Sequence, residues 1–243
     1  MRYSYTFVNM FNQCRMKWYF RYRLEPELEE DYRPNNPLNL GVLLEDIVKD
    51  GLEKAEHTYY MKYPIINDNH ITEVMKAEHF AHQIKEFIPP GGEFEYHLQT
   101  DDFTGYIDYV VKLEDGTYAI YDFKYSNYPE TYLDSMQVHL YKYYFEMLTG
   151  NKVSELAYIL APKIYLQQKD NESIIEYRNR VKDKLNTMSI DVHYVDFDID
   201  KINEFDRIVY EIENASSLYT TRGDHCSYCE YSKICLKQDW DKR

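Results

Sequence analysis

The fold of this chain is decided by residues 105–125, GYIDYVVKLEDGTYAIYDFKY. Apolar and polar residues alternate on both sides of Glu114-Asp115-Gly116, which predicts strands over 105–113 and 117–125 joined by a tight turn. If the turn is a three-residue loop, residues whose numbers sum to 230 face each other. Asp108 then lies opposite Asp122, and Lys124 shares their face because side chains alternate along a strand.

The segments around this hairpin predict an α/β fold with a mixed central sheet flanked by helices, formed by residues 1–243 as a single domain. Hydrophobic periodicity predicts six helices, over residues 4–22, about 39–57, 71–87, 130–149, 172–188 and 200–215. Three further segments have the pattern of strands or extended chain, at 93–100, 155–161 and 190–198. Residues 24–38 are acidic and contain prolines, which predicts a loop.

The overall charge restricts how the chain could bind nucleic acid. A formal net charge of −14 argues against a surface coated by nucleic acid, but it leaves room for a local basic channel. A basic stretch near the N-terminus is the candidate for such a DNA-binding channel, and a solvated helix face is the alternative; it consists of Arg15, Lys17, Arg21 and Arg23. Apolar runs fall short of the roughly 20 residues that a membrane span needs, and the N-terminus lacks signal-peptide features, so we expect a cytoplasmic protein without a membrane partner.

The negative charges of two aspartates in an otherwise apolar hairpin must be compensated. Asp108 and Asp122 repel each other and are costly to bury unless positive charge lies between them. Mg²⁺ or Mn²⁺ provides that charge and prefers oxygen ligands, while Lys124 could orient a metal-bound water or stabilise a phosphate. An ordinary surface salt bridge between Asp122 and Lys124 is the alternative for an arbitrary D-x-K pattern.

These residues carry a family resemblance. The half-motifs G-Y-I-D (105–108) and Y-D-F-K (121–124) resemble the core of the PD-(D/E)XK nucleases of the RecB branch. Gly41 and Glu45 match that branch's G-x-x-x-E motif, with Asp46 as a competing acidic residue, and Gln137 and Tyr141 match its Q-x-x-x-Y motif. The resemblance implies metal binding by Glu45, Asp108, Asp122 and the backbone carbonyl of Phe123, catalysis by Lys124, and substrate or lysine contacts by Gln137 and Tyr141.

The four cysteines predict a second metal site. Cys226, Cys229 and Cys235 have the spacing C-x2-C-x5-C, and Cys14 completes a set of four if the termini meet. Such a set could hold zinc or a 4Fe–4S cluster. The pattern resembles the iron–sulfur nucleases of the RecB branch, which include AddB-type nuclease domains and CRISPR-associated RecB-like exonucleases. That resemblance implies a 4Fe–4S cluster in a subdomain of about residues 1–22 and 219–243, with zinc as the alternative.

The resemblance implies a metal-dependent exonuclease that acts on single-stranded DNA or DNA ends. Recombination, phage DNA processing and CRISPR spacer acquisition would all fit, with the corresponding proteins as partners. The sequence contains no G-x-x-x-x-G-K-[ST] motif, so we expect a stand-alone nuclease rather than a helicase fusion. Two alternatives are an inactive DNA-end-binding or assembly subunit and a zinc-stabilised structural protein.

Overall fold

The structure is a computed structural model that describes residues 2–28, 30–215 and 221–235. Its helices surround a central sheet, and none of them in these ranges is long and apolar enough to cross a membrane. The helices are α1 (Tyr5–Gln13), α2 (Arg15–Tyr19) with a π-helical turn at Phe20–Leu24, α3 (Pro37–Asp50), α4 (Leu52–Tyr60), α5 (Asp68–Phe87), α6 (Glu130–Leu133), α7 (Gln137–Thr149), α8 (Ile174–Leu185), α9 (Asp200–Glu213) and α10 (Ser232–Cys235), with a 3₁₀ turn at Asp224–Tyr228.

The sheet of the described chain has five strands in the order β1-β2-β3-β4-β5. They are β1 (Glu93–Gln99), β2 (Thr104–Lys112), β3 (Tyr118–Tyr125), β4 (Val153–Ala161) and β5 (Asp191–Tyr194). Strands β3 and β4 are parallel, because the chain crosses over through α6 and α7 between them, and the other neighbours are antiparallel. The predicted α/β fold with a mixed sheet is therefore confirmed.

The predicted hairpin register is confirmed. The paired residues run from Tyr109 opposite Tyr121 to Lys112 opposite Tyr118, and each pair sums to 230. Gly116 makes the turn possible, because its φ of 86° lies in the left-handed region that glycine adopts without strain. Beyond the Tyr109–Tyr121 pair, backbone pairing gives way to a side-chain contact, in which the Phe123 N–H donates to the Asp108 carboxylate at 2.8 Å.

The sheet separates two hydrophobic clusters. Helices α3, α5 and α8 pack on one face of the sheet, over Tyr109, Tyr121 and Phe123. Helices α1, α7 and α9 pack on the other face, over Ile120 and Tyr158. Burial of both faces explains why β3 and β4 consist almost entirely of apolar and aromatic residues, as central strands do.

Near Asp108, the side chains of β1 and β2 change the face of the sheet to which they point. Phe94 and Tyr109 pair with each other and belong to the first cluster, whereas the next pair two residues along, Tyr96 and Ile107, belongs to the second. Residues two apart on a regular strand share a face, so the ladder twists between these pairs. Glu95 marks the change with a φ of 50°, and Asp108 lies on the opposite strand at the same level.

Three of the predicted helices are each interrupted where a single helix was expected. The predicted helix 4–22 breaks at Cys14, which is extended (φ −161°, ψ 109°), and the predicted helix 39–57 breaks at Gly51, whose φ is 91°. The predicted helix 130–149 divides between α6 and α7, where the Ser135 hydroxyl accepts from the Gln137 N–H and a new helix begins. Hydrophobic periodicity continued across these breaks, which is why it did not reveal them.

Gly92 provides a test of packing at the start of β1. A Cβ at this position would lie 2.6 Å from the Val110 carbonyl oxygen and 2.5 Å from the Tyr109 ring. We expect Gly92→Ala to lower the free energy of unfolding by about 1–3 kcal/mol, because the backbone of β2 cannot move aside without loss of pairing. Urea unfolding monitored by circular dichroism measures this change.

Gly41→Ala is the matched control for this test. A Cβ at Gly41 meets nothing within 4 Å, and alanine favours the helix interior by up to about 1 kcal/mol. Its unfolding midpoint should equal or exceed that of the wild type. Equal stability of Gly92→Ala and the wild type would contradict the close packing of β1 against β2.

Candidate active site

The site is built around Asp122 in the centre of the sheet. This side chain is fully buried, and its Oδ2 has no hydrogen-bond partner among the described residues. Its carboxylate forms an ion pair with the Lys124 ammonium, two residues along β3 on the same face. The Lys124 side chain is 19% exposed, so the site opens to solvent on the lysine side.

Asp108 faces the same site from β2. Its carboxylate accepts the Phe123 N–H, and this contact fixes one of its oxygens against β3. Burial and the neighbouring Asp122 charge raise the pKa of Asp108 well above its usual range. Burial also raises the pKa of Asp122, against the opposing effect of Lys124. The two carboxylates therefore carry more negative charge, when ionised, than Lys124 alone offsets.

Glu45 reaches the site from α3. Burial raises its pKa to about 7, while the Lys124 ammonium lowers it and the Asp122 carboxylate raises it further. These neighbours show that Glu45 faces the β3 residues. The adjacent Asp46 is influenced instead by Lys62 and other charges outside the site. Of the two acidic residues that the sequence offered, the structure brings Glu45 to the site.

Gln137 and Tyr141 lie together on α7. The Gln137 side-chain amide donates to the Tyr141 hydroxyl at 3.0 Å, as their i, i+4 spacing allows. Tyr141 is buried, and burial together with the Asp122 and Asp108 charges raises the pKa of its phenol above the usual range. Tyr141 thus adds a neutral hydroxyl beside the carboxylates.

Other polar groups at the site were not identified from the sequence. Tyr158 on β4 pairs with Asp122 in the parallel ladder, and its hydroxyl lies 2.9 Å from the Ser135 hydroxyl. The Lys124 ammonium lies 5.6 Å from the centre of the Tyr132 ring. Ser135 lies two residues before Gln137, so the motif could have pointed to it from the sequence. The position of Tyr158 depends on the β3–β4 register and has no local sequence signature.

The acidic residues provide oxygen donors without a preformed ion site. In the part of the chain that the structure describes, no group of three or more His, Cys, Asp or Glu side chains is arranged so that it could hold a metal ion. The donor chemistry nevertheless fits a hard divalent cation, since Oδ2 of the buried Asp122 has no hydrogen-bond partner among the described residues and the Asp108 and Glu45 carboxylates lie beside it. The main chain of Phe123 contacts Asp108 through its N–H.

The basic stretch of the N-terminal segment makes contacts within the protein. Arg15 forms an ion pair with Glu211 at 3.0 Å, and the Arg23 guanidinium lies 5.4 Å from the centre of the Trp18 ring. Arg21 contacts Tyr231, and Lys17 lines the cavity of the cysteines. These contacts hold the N-terminal segment to α9 and to the C-terminal residues.

All four cysteines line one small cavity. Cys14 meets Cys226, Cys229 and Cys235 there, because Phe20 stacks on Tyr231 with ring centroids 5.3 Å apart and joins the two ends of the chain. Burial raises the pKa of the Cys229 and Cys235 thiols, and the other cysteines raise that of Cys235 further. Lys17 opposes the effect at Cys229.

Comparisons with known proteins place this geometry in a family. The crystal structure of SSO0001 is similar to this fold, with a TM-score of 0.38 and 12% sequence identity over 92% of this chain and 93% of that chain. Among curated proteins, no significant match exists. The family model of the PD-(D/E)XK nuclease superfamily matches residues 2–236. Because that match covers nearly the whole sequence, the chain belongs to the PD-(D/E)XK nuclease superfamily.

Proposed function

We propose that this protein is a metal-dependent DNA nuclease whose active site is the cluster of Glu45, Asp108, Asp122 and Lys124. The observation that carries the proposal is the fully buried Asp122, whose carboxylate pairs with Lys124 and lies beside the Asp108 and Glu45 carboxylates. An arrangement of that kind costs stability and is expected where charge serves catalysis. Nucleases of this superfamily generally use Mg²⁺ or Mn²⁺.

The carboxylates of Glu45, Asp108 and Asp122 and the main-chain carbonyl of Phe123 would hold the ion. The bound cation would activate a water and polarise a phosphodiester oxygen. Lys124 contributes positive charge rather than a base, because the Asp122 and Asp108 carboxylates outweigh burial and hold its pKa above the usual range. Its ammonium can stabilise the charge that develops on the phosphate.

Gln137 and Tyr141 would orient the substrate or Lys124. The hydrogen bond between them fixes the Tyr141 hydroxyl, and the raised pKa of that phenol keeps it a hydrogen-bond donor. A fixed neutral donor beside carboxylates can hold a phosphate oxygen or a water without adding to the negative charge. We assign both residues to positioning on this basis.

We further propose that the substrate is single-stranded DNA or a DNA end. A net charge of −14 repels a long stretch of duplex, whereas the end of one strand needs few phosphate contacts. Arg21 and Arg23 stay exposed despite their contacts with Tyr231 and Trp18, so the N-terminal segment offers a short basic surface for the few phosphates of one strand. This substrate suits recombination, phage DNA processing or CRISPR spacer acquisition, with the proteins of those processes as partners.

The first prediction from this proposal concerns cleavage itself. Wild-type protein should degrade linear but not circular single-stranded DNA with Mg²⁺ or Mn²⁺. Lys124→Ala and Asp122→Asn should each reduce the rate by about 100-fold or more, since each removes a charge at the reacting phosphate. Gel electrophoresis of end-labelled linear and circular substrates measures both effects.

Lys54→Ala is the control for loss of a lysine. Lys54 is 69% exposed on α4 and pairs with Asp50, so its removal should leave the rate unchanged. Cleavage of circles would keep the site but make the enzyme an endonuclease. If the wild type cuts neither substrate with either metal, the catalytic proposal is wrong and a DNA-end-binding or assembly role becomes the better interpretation.

The second prediction uses the pKa of Glu45, which is raised from 4.5 to about 7. A carboxyl with a raised pKa stabilises the fold below its unfolded pKa and loses that contribution as the pH rises through its folded pKa. In EDTA, the stability of the wild type should therefore fall between about pH 4.5 and 7 more steeply than that of Glu45→Gln. Chemical denaturation at several pH values in this window measures the two slopes.

Addition of Mg²⁺ completes this test. At pH 8 the ion should stabilise the wild type more than Glu45→Gln, because the ionised carboxylate is then a ligand. Asp46→Asn is the control on the same helix, and it should keep the full Mg²⁺ effect because the electrostatic neighbours of Asp46 lie outside the site. Parallel slopes for the wild type and Glu45→Gln would contradict the position assigned to Glu45.

We propose that the four cysteines hold a 4Fe–4S cluster, which closes residues 1–243 into one nuclease domain. All four cysteines line a common cavity, so their thiolates could bind one shared group. Crowded thiols with raised pKa values also need a cationic group to ionise together. Such a cluster suits the reducing cytoplasm.

The third prediction is the metal content of protein purified without oxygen. We expect about four iron ions and four sulfide ions per chain and little zinc. The visible absorption spectrum should resemble that of iron–sulfur clusters bound by cysteine. Cys14→Ser and Cys229→Ser should lose most of the iron. Ser232 lines the same cavity but has no thiol, so Ser232→Ala should keep the iron. One zinc per chain in place of iron would favour the zinc alternative.

A further inference from the structure

Residues 162–173 connect β4 to α8 and form a long segment at the edge of the sheet beside the carboxylate site. The segment begins where the parallel strands β3 and β4 end, and the Ser126 N–H still donates to the Ala161 carbonyl there at 2.9 Å. Lys124 lies two residues before Ser126, so this is also the end of β3 that carries the ion pair. Ligands of open α/β sheets bind outside the carboxyl ends of the strands, which is where this segment lies.

Hydrogen bonds from neighbouring elements hold the main chain of residues 163–167. The Asn127 side chain accepts the Lys163 N–H at 2.6 Å and donates to the Lys163 carbonyl at 3.1 Å. Three side chains donate to the carbonyls that follow, at 3.3, 2.8 and 2.8 Å: Lys76 to Ile164, Tyr177 to Leu166 and Arg180 to Gln167. Loops are generally mobile, whereas these contacts fix the backbone on both sides of Tyr165.

Lys163 presents a positive charge at the start of this segment. Its ammonium lies 5.7 Å from the centre of the Tyr125 ring, and no ion pair joins it to a carboxylate of the described residues. Burial lowers the pKa of Lys163, and the Glu73 carboxylate, which itself pairs with Lys76 at 2.7 Å, opposes that effect. An ammonium that rests on an aromatic ring keeps its hydrogen-bond donors for an anion such as a phosphate.

Tyr165 presents an exposed ring two residues after Lys163. Its side chain is 72% exposed, while Ile164 before it is buried in the first cluster. The Cα atoms of Lys163 and Tyr165 are at most about 7 Å apart, because two residues span no more than that. An exposed aromatic ring on a fixed backbone contributes little to the core, but a nucleic-acid base can stack on it.

We propose that residues 163–165 bind the single strand that enters the active site, with the Lys163 ammonium on a phosphate and a base stacked on the Tyr165 ring. The inference rests on the proposed nuclease function and deepens it, because it names the residues that select the substrate. Both contacts tolerate any sequence, since every nucleotide has a phosphate and every base has a face that stacks. The bases of a duplex already stack on one another, so the Tyr165 ring favours a single strand.

Binding of a fluorescein-labelled oligothymidylate to the full-length protein in EDTA tests this surface without cleavage. Tyr165→Ala should weaken binding about tenfold because it removes the stacking ring, whereas Tyr165→Phe should bind as the wild type does. Lys163→Ala should reduce the slope of log affinity against log salt concentration by about 0.7, the value for one phosphate contact on a single strand. Lys163→Arg should keep the slope. Fluorescence anisotropy at several salt concentrations measures both effects.

Two matched controls remove the same groups elsewhere. Tyr210→Ala removes a ring that is 67% exposed on α9, which packs on the other face of the sheet. Lys152→Ala removes an exposed lysine just before β4, at the opposite end of that strand. Tyr210→Ala should leave the affinity unchanged, and Lys152→Ala should leave the salt slope unchanged. Urea unfolding should show that all variants are folded.

Cleavage of the same strand with Mg²⁺ gives a second readout. Lys163→Ala and Tyr165→Ala should raise KM and change kcat less than about twofold, because both residues bind the strand away from the reacting phosphate. Unchanged affinity and KM for Tyr165→Ala, an unchanged salt slope for Lys163→Ala, or equal effects of the two controls would overturn the inference.

The failure of this surface is distinguishable from the failure of the nuclease proposal. If the wild type cleaves DNA and both variants bind and cleave as it does, the surface is wrong and the nuclease proposal stands. If the wild type cleaves with neither metal but the variants lose binding as expected, the nuclease proposal is wrong and the surface remains as a site for single strands. If the wild type neither binds nor cleaves the strand, both proposals are wrong.

Discussion

The structure depends on the burial of an aspartate that pairs with a lysine two residues away. Asp122 lies in the central strand of a sheet whose two faces are both covered, where an uncompensated charge is very costly. Lys124 supplies the nearest compensation, and the pair can form because residues two apart share a face. Apolar residues in both places often leave such a sheet equally or more stable, so a stabilising role is a weak explanation for this buried ion pair.

Regular pairing is confined to the turn end of the β2–β3 hairpin. From Tyr109 to Lys112 the strands follow one register, and at Asp108 the side chain takes the place of a backbone partner for the Phe123 N–H. The change of face between β1 and β2 occurs at the same level, with Glu95 in a left-handed conformation. Backbone irregularity of this kind re-aims side chains and occurs beside active sites. It brings Asp108 toward Asp122 while the rest of β2 stays in the core.

The sequence predicted the parts of this site that depend on local chemistry. The Glu114–Gly116 turn set the hairpin register, and alternation along β3 placed Lys124 beside Asp122, so both followed from neighbouring residues. Tyr158 was missed because its position depends on the parallel β3–β4 register, which arises only when distant segments pack. The break at Cys14 was missed for a related reason, since Phe11 and Trp18 lie on opposite sides of it and still pack in one cluster.

Helix α1 connects the two candidate metal sites. Its first residue, Tyr5, packs against the cluster that contains Tyr158, and the residue that ends it, Cys14, lines the cysteine cavity. A helix is a stiff element, so a shift at Cys14 moves Tyr5 as well, unless the bridge between Tyr3 and β2 absorbs the change. The extended conformation of Cys14 turns the chain. As a result, α1 packs beside the carboxylate site and α2 begins at the cysteines. A group bound by the four thiols would fix Cys14, and with it the end of α1, so it would limit how far α1 can move against the sheet.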